Sequence, residues 1–173
     1  MDTRYRIRMA YEDDWQDAIG LAWRTFLEFE AGEYPEEGVK NFRDFVTDPT
    51  LYRLFRKGEY QMFCAFDAAT YREIPSREEG RTVLRERMAG MLTLRNTSHI
   101  SLLFVDKEYH RRGIGSELVN SAREYLLGEV GCDRMTVNAA PYGIPFYRHM
   151  GFRELDAEQK KDGIIYTPMM LFL

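Results

Sequence analysis

A short segment with two arginines, two glycines and a serine has the residue types of an anion-binding loop. The apolar run 100–105 meets a charged turn that contains Arg111 and Arg112, and Gly113-Ile114-Gly115-Ser116 then opens a helical pattern. The first N–H groups of a helix lack backbone partners and carry partial positive charge, so a phosphate placed there satisfies both deficits. Glycine lets the backbone approach that phosphate closely, and the serine and arginine side chains supply further donors. The segment therefore predicts a strand, a diphosphate-binding loop and a helix in succession.

The loop alone is compatible with two interpretations. It lacks the Gly-Lys-Ser/Thr of a P-loop and the third glycine of a dinucleotide-binding fingerprint. Gly113 and Gly115 also fit a tight turn from a strand to a helix, flanked by two solvated arginines. Residues elsewhere in the chain are needed to choose between a cofactor site and a structural turn.

A second segment, residues 145–152, reads Pro-Phe-Tyr-Arg-His-Met-Gly-Phe. Together with the loop it resembles the GNAT superfamily of acyl-CoA-dependent N-acetyltransferases. Members of that superfamily have the pattern Arg/Gln-x-x-Gly-x-Gly/Ala, whose amides hold the pyrophosphate of coenzyme A, and a Phe-Tyr-x-x-x-Gly-Phe segment. His110 stands here where Arg or Gln is usual. Many members also have an Asn seven residues before the Tyr, whereas Ala140 occupies that place here and Asn138 comes two residues earlier.

The resemblance implies an enzyme that transfers an acetyl group from acetyl-CoA to a primary amine of a small molecule or peptide. The amine attacks the thioester directly in a ternary complex, and coenzyme A leaves as a thiolate. Tyr147 is the implied general acid, because a phenol of pKa ~10 is protonated at neutral pH and can donate to a thiolate. A backbone N–H near Val105 is implied to polarise the carbonyl. The implied cofactor-binding residues are Leu103, Phe104, Val105, Arg111, Arg112, Gly113, Ile114, Gly115, Ser116 and Asn138, and no metal is implied.

The group that takes the proton from the amine is left open. Glu28, Glu30 and Glu33 lie near the connection between the first two helices, where members of the family often form the acceptor site. A solvated helix end explains the same residues, and a water chain can replace any carboxylate. The acidic residues of this connection favour a cationic acceptor, such as a polyamine, an aminoglycoside or a lysine-bearing peptide.

Two other functions are compatible with the same residues. A non-catalytic regulatory module that binds coenzyme A keeps the loop without transferring an acyl group, and His110 is the departure from the family pattern that favours it. An acyltransferase that uses another acyl-CoA keeps the whole arrangement and differs only in its donor. The presence of Tyr147 favours an enzyme over a regulatory module.

Length and composition narrow the class of protein. The chain has 173 residues and a formal net charge of -4, which predicts one domain over 1–173 and argues against nucleic acid as a partner. No apolar run approaches the ~18 residues of a membrane span, and Asp2 and Arg4 stand where a signal peptide needs apolar residues. Cys64 and Cys132 show no metal-ligand spacing. We therefore expect a cytoplasmic protein, monomeric or homodimeric, without a metal or a membrane partner.

Apolar periodicity places these motifs in a mixed α/β fold. The order β-α-α-β-β-β-α-β-α-β-β predicts a mixed, mostly antiparallel central sheet with flanking helices, and this order is similar to that of the GNAT fold. Residues 72–87 carry Pro75, Gly80 and many charges, and are interpreted as an excursion between two strands. A short helical piece is expected at 51–56. Strands are predicted at 5–9, 61–69, 88–95, 100–105, 134–137, 152–155 and 164–173, and helices at 12–30, 35–48, 114–127 and 145–150.

Overall fold

Eight strands form a mixed sheet within residues 4–76 and 78–173, the residues that the computed structural model describes. They are β1 (Tyr5–Met9), β2 (Gln61–Pro75), β3 (Thr82–Arg95), β4 (His99–Val105), β5 (Arg134–Ala139), β6 (Arg153–Glu154), β7 (Gln159–Lys161) and β8 (Ile164–Phe172). Across the sheet they follow the order β1-β2-β3-β4-β5-β8-β6, and β7 pairs with β8. Within the described ranges only β4 and β5 run parallel. The predicted mixed, mostly antiparallel sheet is confirmed.

Helices cover both faces of the sheet. They are α1 (Trp15–Phe29), α2 (Glu36–Thr47), α3 (Pro49–Arg56), α4 (Ile114–Tyr125) and α5 (Ile144–His149). Side chains alternate between the two faces of a strand, so β2 contributes to two cores. Met62 and Cys64 pack in the core beneath α1, α2 and α3. Phe63 and Ala65 pack in the core beneath α4 and α5. This two-sided burial explains why the first half of β2 is apolar at consecutive positions.

Strand β4 carries one extra residue, Ser101, opposite β3. The register shifts between Thr93 and Leu94 of β3, and Ser101 is left without a partner of its own. A bulge of this kind bends its strand and increases the local twist. The buried Tyr60 hydroxyl lies 2.8 Å from Thr93 Oγ1 and donates to Ser101 Oγ at 3.0 Å. One phenol therefore ties both strands together at the bulge.

Strands β4 and β5 separate at this bulge. They pair only at His99 with Thr136 and at Ile100 with Val137. Strand β5 stays paired with β8 along its full length, and the rest of β4 stays paired with β3. The two parallel strands therefore diverge, and a gap opens between them inside an otherwise continuous sheet.

The prediction of an excursion at 72–87 is wrong. Strands β2 and β3 continue through this region as one long antiparallel hairpin, in which Pro75 lies opposite Thr82. Most side chains on this outer part of the hairpin are exposed, so its sequence lacks the apolar alternation by which a strand is recognised. Arg77, within the predicted excursion, lies outside the described residues.

The other differences from the prediction concern the ends of elements and one additional strand. A 3-10 turn, Glu12–Asp14, precedes α1, and α4 continues through a π-helical turn to Gly131, whose φ is 75°. Strand β7 is absent from the prediction, while the short helix expected at 51–56 is present as α3. Residues 1–3 of the predicted domain lie outside the described residues. None of the described helices is long and apolar enough to cross a membrane.

We expect Tyr60→Phe to lower the free energy of unfolding by about 1–3 kcal/mol, because it leaves the fully buried Thr93 hydroxyl without its partner. Urea denaturation measures this difference. Tyr52→Phe is the matched control, since the Tyr52 ring makes aromatic contacts but its hydroxyl has no hydrogen bond among the described residues. The control should change the free energy by less than about 0.5 kcal/mol. Equal stabilities of Tyr60→Phe and the wild type would show that this hydroxyl does not hold the bulge.

Candidate active site

The gap between β4 and β5 opens into a cavity of about 1300 Å³. Its walls come from the loop before α4, the ends of β4 and β5, helices α1, α2 and α5, and the turn between β7 and β8. Because α1 and α2 lie on one face of the sheet and α4 and α5 on the other, the cavity passes from face to face. The predicted site residues that line it are Leu103, Phe104, Val105, Arg111, Gly113, Ile114, Gly115, Ser116, Asn138 and Tyr147.

The loop before α4 has an unusual backbone conformation. Gly113, the N-cap of α4, has a φ of 77°, a left-handed conformation that glycine adopts without a steric penalty. Arg111 also has a positive φ, 61°, which is uncommon for a residue with a Cβ atom. Gly115 has a steric role, because a Cβ atom at this position would lie 3.2 Å from the Phe146 ring. One glycine thus permits the turn, and the other permits the close approach of α5.

Two buried carboxylates anchor this loop to the sheet and to α1. Asp106 accepts hydrogen bonds from the backbone of Glu108 at 3.1 Å and from Arg24 of α1 at 2.9 Å. Burial raises the pKa of Asp106, but the bonds from Arg24 and Glu108 outweigh burial, so that the pKa is lowered. Asp67 of β2 accepts from the Tyr109 hydroxyl at 2.8 Å. Asp106, at the start of the loop, and Tyr109, three residues later, are therefore both held in place before any ligand is bound.

Asp67 is a residue that the sequence interpretation overlooked. Its carboxylate receives two bonds of 2.8 Å from the Arg4 guanidinium, which hold the pKa of Asp67 far below its usual range despite burial. The side chain of Asp67 is fully buried. A carboxylate inside an apolar strand is a signal of a paired, structural charge, and this signal was available at Asp67.

The two arginines of the loop point to different places. Arg112 donates to the Tyr5 hydroxyl at 2.8 Å and its guanidinium lies 5.4 Å from the centre of the Tyr109 ring. It therefore lies on the β1 side of the loop and does not line the cavity. Arg111 lines the cavity and has no hydrogen-bond or ion-pair partner among the described residues. Adjacent arginines of equal appearance in the sequence thus differ in their access to a ligand.

The end of β4 presents unpaired main-chain groups to the cavity. The Asp106 N–H donates to Ala89 of β3 at 2.8 Å. The N–H and C=O groups of successive residues alternate between the two sides of a strand. Those of Phe104 therefore also point toward β3, whereas those of Leu103 and Val105 point into the gap. The Val105 carbonyl is occupied by His110 Nε2, 2.7 Å away. The N–H groups of Leu103 and Val105 remain available to a molecule that enters the gap.

Tyr147 lies in α5 with its ring in the core and its hydroxyl at the cavity. The residue is 7% exposed, and its ring centre lies 5.2 Å from those of Phe146 and Phe152. Burial raises the pKa of Tyr147, and the nearby Glu30 carboxylate raises it further. Among the described residues the Tyr147 hydroxyl has no hydrogen-bond partner. The site thus holds a protonated phenol with a free hydroxyl.

Glu30, directly after α1, also lines the cavity. Burial raises its pKa to about 7, and the negative charge of Glu33 adds to this effect. Its carboxylate has no hydrogen-bond or ion-pair partner within the described ranges. The other two candidates for a base lie elsewhere, since Glu28 pairs with Lys107 at 2.5 Å and neither Glu28 nor Glu33 lines the cavity. Of the three glutamates, Glu30 alone lies in the same cavity as Tyr147.

The wall opposite the loop is formed by α2 and the turn between β7 and β8. Asn41 donates to the carbonyl of Asp162 at 2.6 Å. The backbones of Gly38 and Gly163 touch, because a Cβ atom on Gly163 would lie 2.5 Å from the Gly38 nitrogen. Asp162 and Gly163 both have positive φ, as a two-residue hairpin turn requires. The dipeptide Asp-Gly was a sequence signal for this hairpin that the prediction did not use.

Charged side chains of both signs also line the cavity. Glu37 and Asp162 are anionic, and Arg95 and Lys161 are cationic. His99 lies beside them, and burial together with Arg95 lowers its pKa to about 4, so it is neutral at pH 7. In the described part of the chain no group of three or more His, Cys, Asp and Glu side chains is arranged to hold a metal ion.

Comparison with protein families gives one match over most of the chain. A family model described as an acetyltransferase (GNAT) domain matches residues 30–173. This range includes the loop, both splayed strands and Tyr147. No curated protein sequence matches the chain.

Solved structures with a similar fold come from several organisms. A GCN5-related N-acetyltransferase from Rhodopseudomonas palustris has a TM-score of 0.71 at 20% identity, covering 99% of this chain and 97% of its own. The PaiA N-acetyltransferase from Thermoplasma acidophilum, solved with coenzyme A, has a TM-score of 0.70 at 18% identity, covering 98% and 99%. The spermidine N-acetyltransferase from Vibrio cholerae, solved with coenzyme A and spermine, has a TM-score of 0.63 at 12% identity, covering 99% and 96%. At these identities the similarity establishes the fold.

The raised pKa of Glu30 predicts a stability effect that depends on pH. Because the folded protein holds this proton up to about pH 7 while the unfolded chain loses it near pH 4.5, stability falls as the pH rises through this interval. We expect Glu30→Gln to raise the free energy of unfolding by roughly 1–3 kcal/mol at pH 8 and by little at pH 4. Denaturant titrations at both pH values measure this. The exposed Glu158→Gln is the control, and a gain for Glu30→Gln that is equal at both pH values would contradict the raised pKa.

Proposed function

The chain belongs to the GNAT acetyltransferase family, and from this premise we propose that it transfers an acetyl group from acetyl-CoA to a primary amine. As a member of this family it is an acyltransferase that uses a coenzyme A-based acyl donor. The observation that supports acetyl transfer to an amine is that one cavity contains the loop, the free N–H groups of β4, Tyr147 and Glu30. Direct attack of an amine on a thioester needs an N–H donor, an acid and a base around the same reacting atoms, and the loop holds the diphosphate of the donor that carries them.

In this proposal the loop holds the diphosphate of the donor. The first amides of α4 are free donors beside a glycine with positive φ, and Arg111 supplies an unpaired charge to the same space. Arg112 supports the loop through Tyr5 instead of contacting the donor. The Ser116 hydroxyl and the Gly115 amide complete the grip.

The end of β4 positions the acyl group. An extended pantetheine arm can pair with the free edge of β4 as an added strand does, because none of the described strands occupies that side beyond Ile100. The Val105 N–H then donates to the acyl carbonyl oxygen and stabilises the negative charge that develops on it, while the Leu103 N–H pairs with the pantetheine arm. Asn138 lies across the gap on β5, where its side chain borders the same space.

Proton transfers involve Glu30 and Tyr147. Glu30 accepts a proton from the amine nitrogen as the N–C bond forms, and a pKa of about 7 suits a base that works near neutral pH. Tyr147 gives its hydroxyl proton to the sulfur as the C–S bond breaks. Glu30 then releases its proton to solvent and Tyr147 takes one up, which restores both groups. The products are an N-substituted acetamide and the free thiol of coenzyme A. Tyr147 is protonated at neutral pH, and its raised pKa means that it gives up its proton only as negative charge develops on the sulfur.

The acceptor in this proposal is a primary amine of a small molecule or peptide. Glu37 and Asp162 line the cavity on the side of α2 and the β7–β8 turn, beside the cationic Arg95 and Lys161, so this wall contains carboxylates that can pair with an amine that carries positive charge. The Vibrio cholerae neighbour was solved with spermine, which supports polyamines as first compounds to test. A screen of amines with acetyl-CoA, followed by mass spectrometry, tests the proposal. Activity only with another acyl-CoA would identify a different donor, and binding without any transfer would favour a regulatory module.

We expect Tyr147→Phe to lower kcat by about 10²- to 10⁴-fold, because the departing thiolate loses its proton donor. The affinity for coenzyme A should change little, since the ring stays in place. Steady-state release of free thiol gives kcat, and calorimetry gives the affinity. Tyr125→Phe is the matched control, because Tyr125 packs its ring on Phe63 away from the cavity. Unchanged turnover of Tyr147→Phe would remove Tyr147 from the mechanism.

The two loop arginines are expected to respond differently to substitution. Arg111→Ala should weaken coenzyme A binding by roughly 10- to 100-fold, because a charge-assisted contact to phosphate is lost. Arg112→Ala should change this affinity by less than about threefold, but should lower the free energy of unfolding by about 1 kcal/mol through the loss of its bond to Tyr5. Calorimetry and urea denaturation of both variants measure the contrast. A loss of affinity in Arg112→Ala as large as in Arg111→Ala would contradict the assignment.

A further inference from the structure

Sheet hydrogen bonds do not set the width of the gap between the ends of β4 and β5. Sheet hydrogen bonds set the spacing of neighbouring strands, but between these two strands they end at Ile100 and Val137. The segments that follow each strand border the cavity. Strand β4 carries the N–H proposed to act on the thioester, and the turn after β5 leads into α5, which carries Tyr147. Some other contact must fix their separation if the slot between the strand ends is to have a defined width.

Three aromatic rings span this slot. Phe29, the last residue of α1, lies with its ring centre 4.8 Å from that of His110 and 5.6 Å from that of Tyr142. His110 belongs to the loop after β4, and Tyr142 belongs to the turn between β5 and α5. All three residues line the cavity. We call these residues, Phe29, His110 and Tyr142, the aromatic bridge.

We propose that the aromatic bridge fixes the separation of the splayed strand ends, and so sets the width of the slot that admits the acyl group. This inference rests on the proposed acetyltransferase function for its catalytic consequence. Its structural content, that the bridge restrains the loops on both sides of the gap, stands independently. The bridge residues are positioning residues, because they act through the main chain of β4 and through α5.

His110 is the part of the bridge that is connected to the reacting region. Its Nε2 atom lies 2.7 Å from the Val105 carbonyl, on the side of β4 that faces the gap. The ring therefore both occupies this carbonyl and contacts Phe29. An unoccupied Val105 carbonyl would be a free acceptor beside the N–H that is proposed to hold the acyl oxygen. His110 thus also restricts which main-chain groups of β4 a ligand can use.

The other members connect the bridge to the proposed acid and base. Phe29 directly precedes Glu30, so a shift of the Phe29 ring moves the end of α1 from which this carboxylate projects. Tyr142 lies in the short turn that leads into α5, the helix that carries Tyr147. Tyr142 is 51% exposed, so core packing does not account for its position, and within the described ranges its ring contacts that of Phe29. The bridge therefore joins the three segments that supply the proposed oxyanion, acid and base groups.

Substitutions that remove one ring test the proposal in the complete protein. We expect Tyr142→Ala and His110→Ala to lower kcat with acetyl-CoA by about 10- to 100-fold, because the reacting groups lose their alignment. The affinity for coenzyme A should change by less than about threefold, because its diphosphate is held by the loop amides and Arg111. The ratio of kcat/KM for butyryl-CoA to that for acetyl-CoA should rise, because a wider slot admits a longer chain. A variant that is only less stable does not change this ratio.

Conservative variants and a matched control separate the contributions. Tyr142→Phe keeps the ring and should retain the kinetics of the wild type. His110→Gln keeps a donor for the Val105 carbonyl but loses the ring contact, and should fall between His110→Ala and the wild type. Tyr71→Ala is the control, because Tyr71 is 58% exposed, far from the cavity lining, and makes no ring contact among the described residues. Unchanged kcat and donor ratio in both alanine variants of the bridge would overturn the proposal.

Hydrogen–deuterium exchange tests the bridge without relying on any activity. In ligand-free protein, Tyr142→Ala should accelerate exchange in peptides that cover 103–112, across the gap from the substituted residue, as well as in its own turn. Peptides from β2 should be unchanged, as should all distant peptides in Tyr71→Ala. Faster exchange across the gap without acetyl transfer by the wild type would preserve the bridge and refute the proposed function. Acceleration confined to the turn of Tyr142 would refute the bridge.

Discussion

The extra residue at Ser101 is the constraint on which the rest of the site depends. Without it, β4 and β5 would continue as neighbouring parallel strands and their main-chain groups would bond to one another. The bulge twists β4 away, so that Leu103 and Val105 face open space while β3 still holds the other side of the strand. The cavity, the free N–H groups and the need for a bridge all follow from this one insertion. Tyr60 and Thr93 stabilise it with buried hydroxyl groups, which are costly to leave unpaired.

Burial changes the acid–base properties of the site in a single direction. It favours the neutral form of every acid, so it raises the pKa of Glu30 and of Tyr147 alike. The two groups nevertheless end up with different proposed roles, because they start from different reference values. The pKa of the carboxyl moves into the neutral range, where the group can exchange a proton with an amine. The pKa of the phenol moves further above that range. The Glu30 carboxylate also raises the pKa of Tyr147, so the site disfavours the state in which both are ionised.

Much of the fold could be predicted from the sequence, because apolar periodicity reports burial. The paired strands of the core, α1, α2 and α4 were accessible in this way, and the loop and residues 145–152 identified the family. The outer part of the β2–β3 hairpin was not accessible, since exposed strands carry no apolar alternation. Ser101 gave no signal either, because a bulge is a difference in register between two strands. Arg111 and Arg112 point in different directions because of the backbone turn at Gly113. The sequence indicates this turn, but not the direction in which each arginine side chain leaves it. That Glu30 and Tyr147 line the same cavity could be seen only in the tertiary structure. Their catalytic roles stay predictions.

The contact between Gly38 and Gly163 has a consequence for how acceptor preference can be altered. Two backbones meet there without intervening side chains, which makes the junction between α2 and the β7–β8 turn insensitive to the side chains around it. Glu37 on one partner and Lys161 on the other project from this joint. Asn41 and Asp162 belong to the joint itself, because Asn41 donates to the Asp162 carbonyl and Asp162 adopts the positive φ of the turn. A protein engineer can therefore vary the charge and size of residues 37 and 161 to change the chemistry of the acceptor wall, while leaving the joint and the donor side intact.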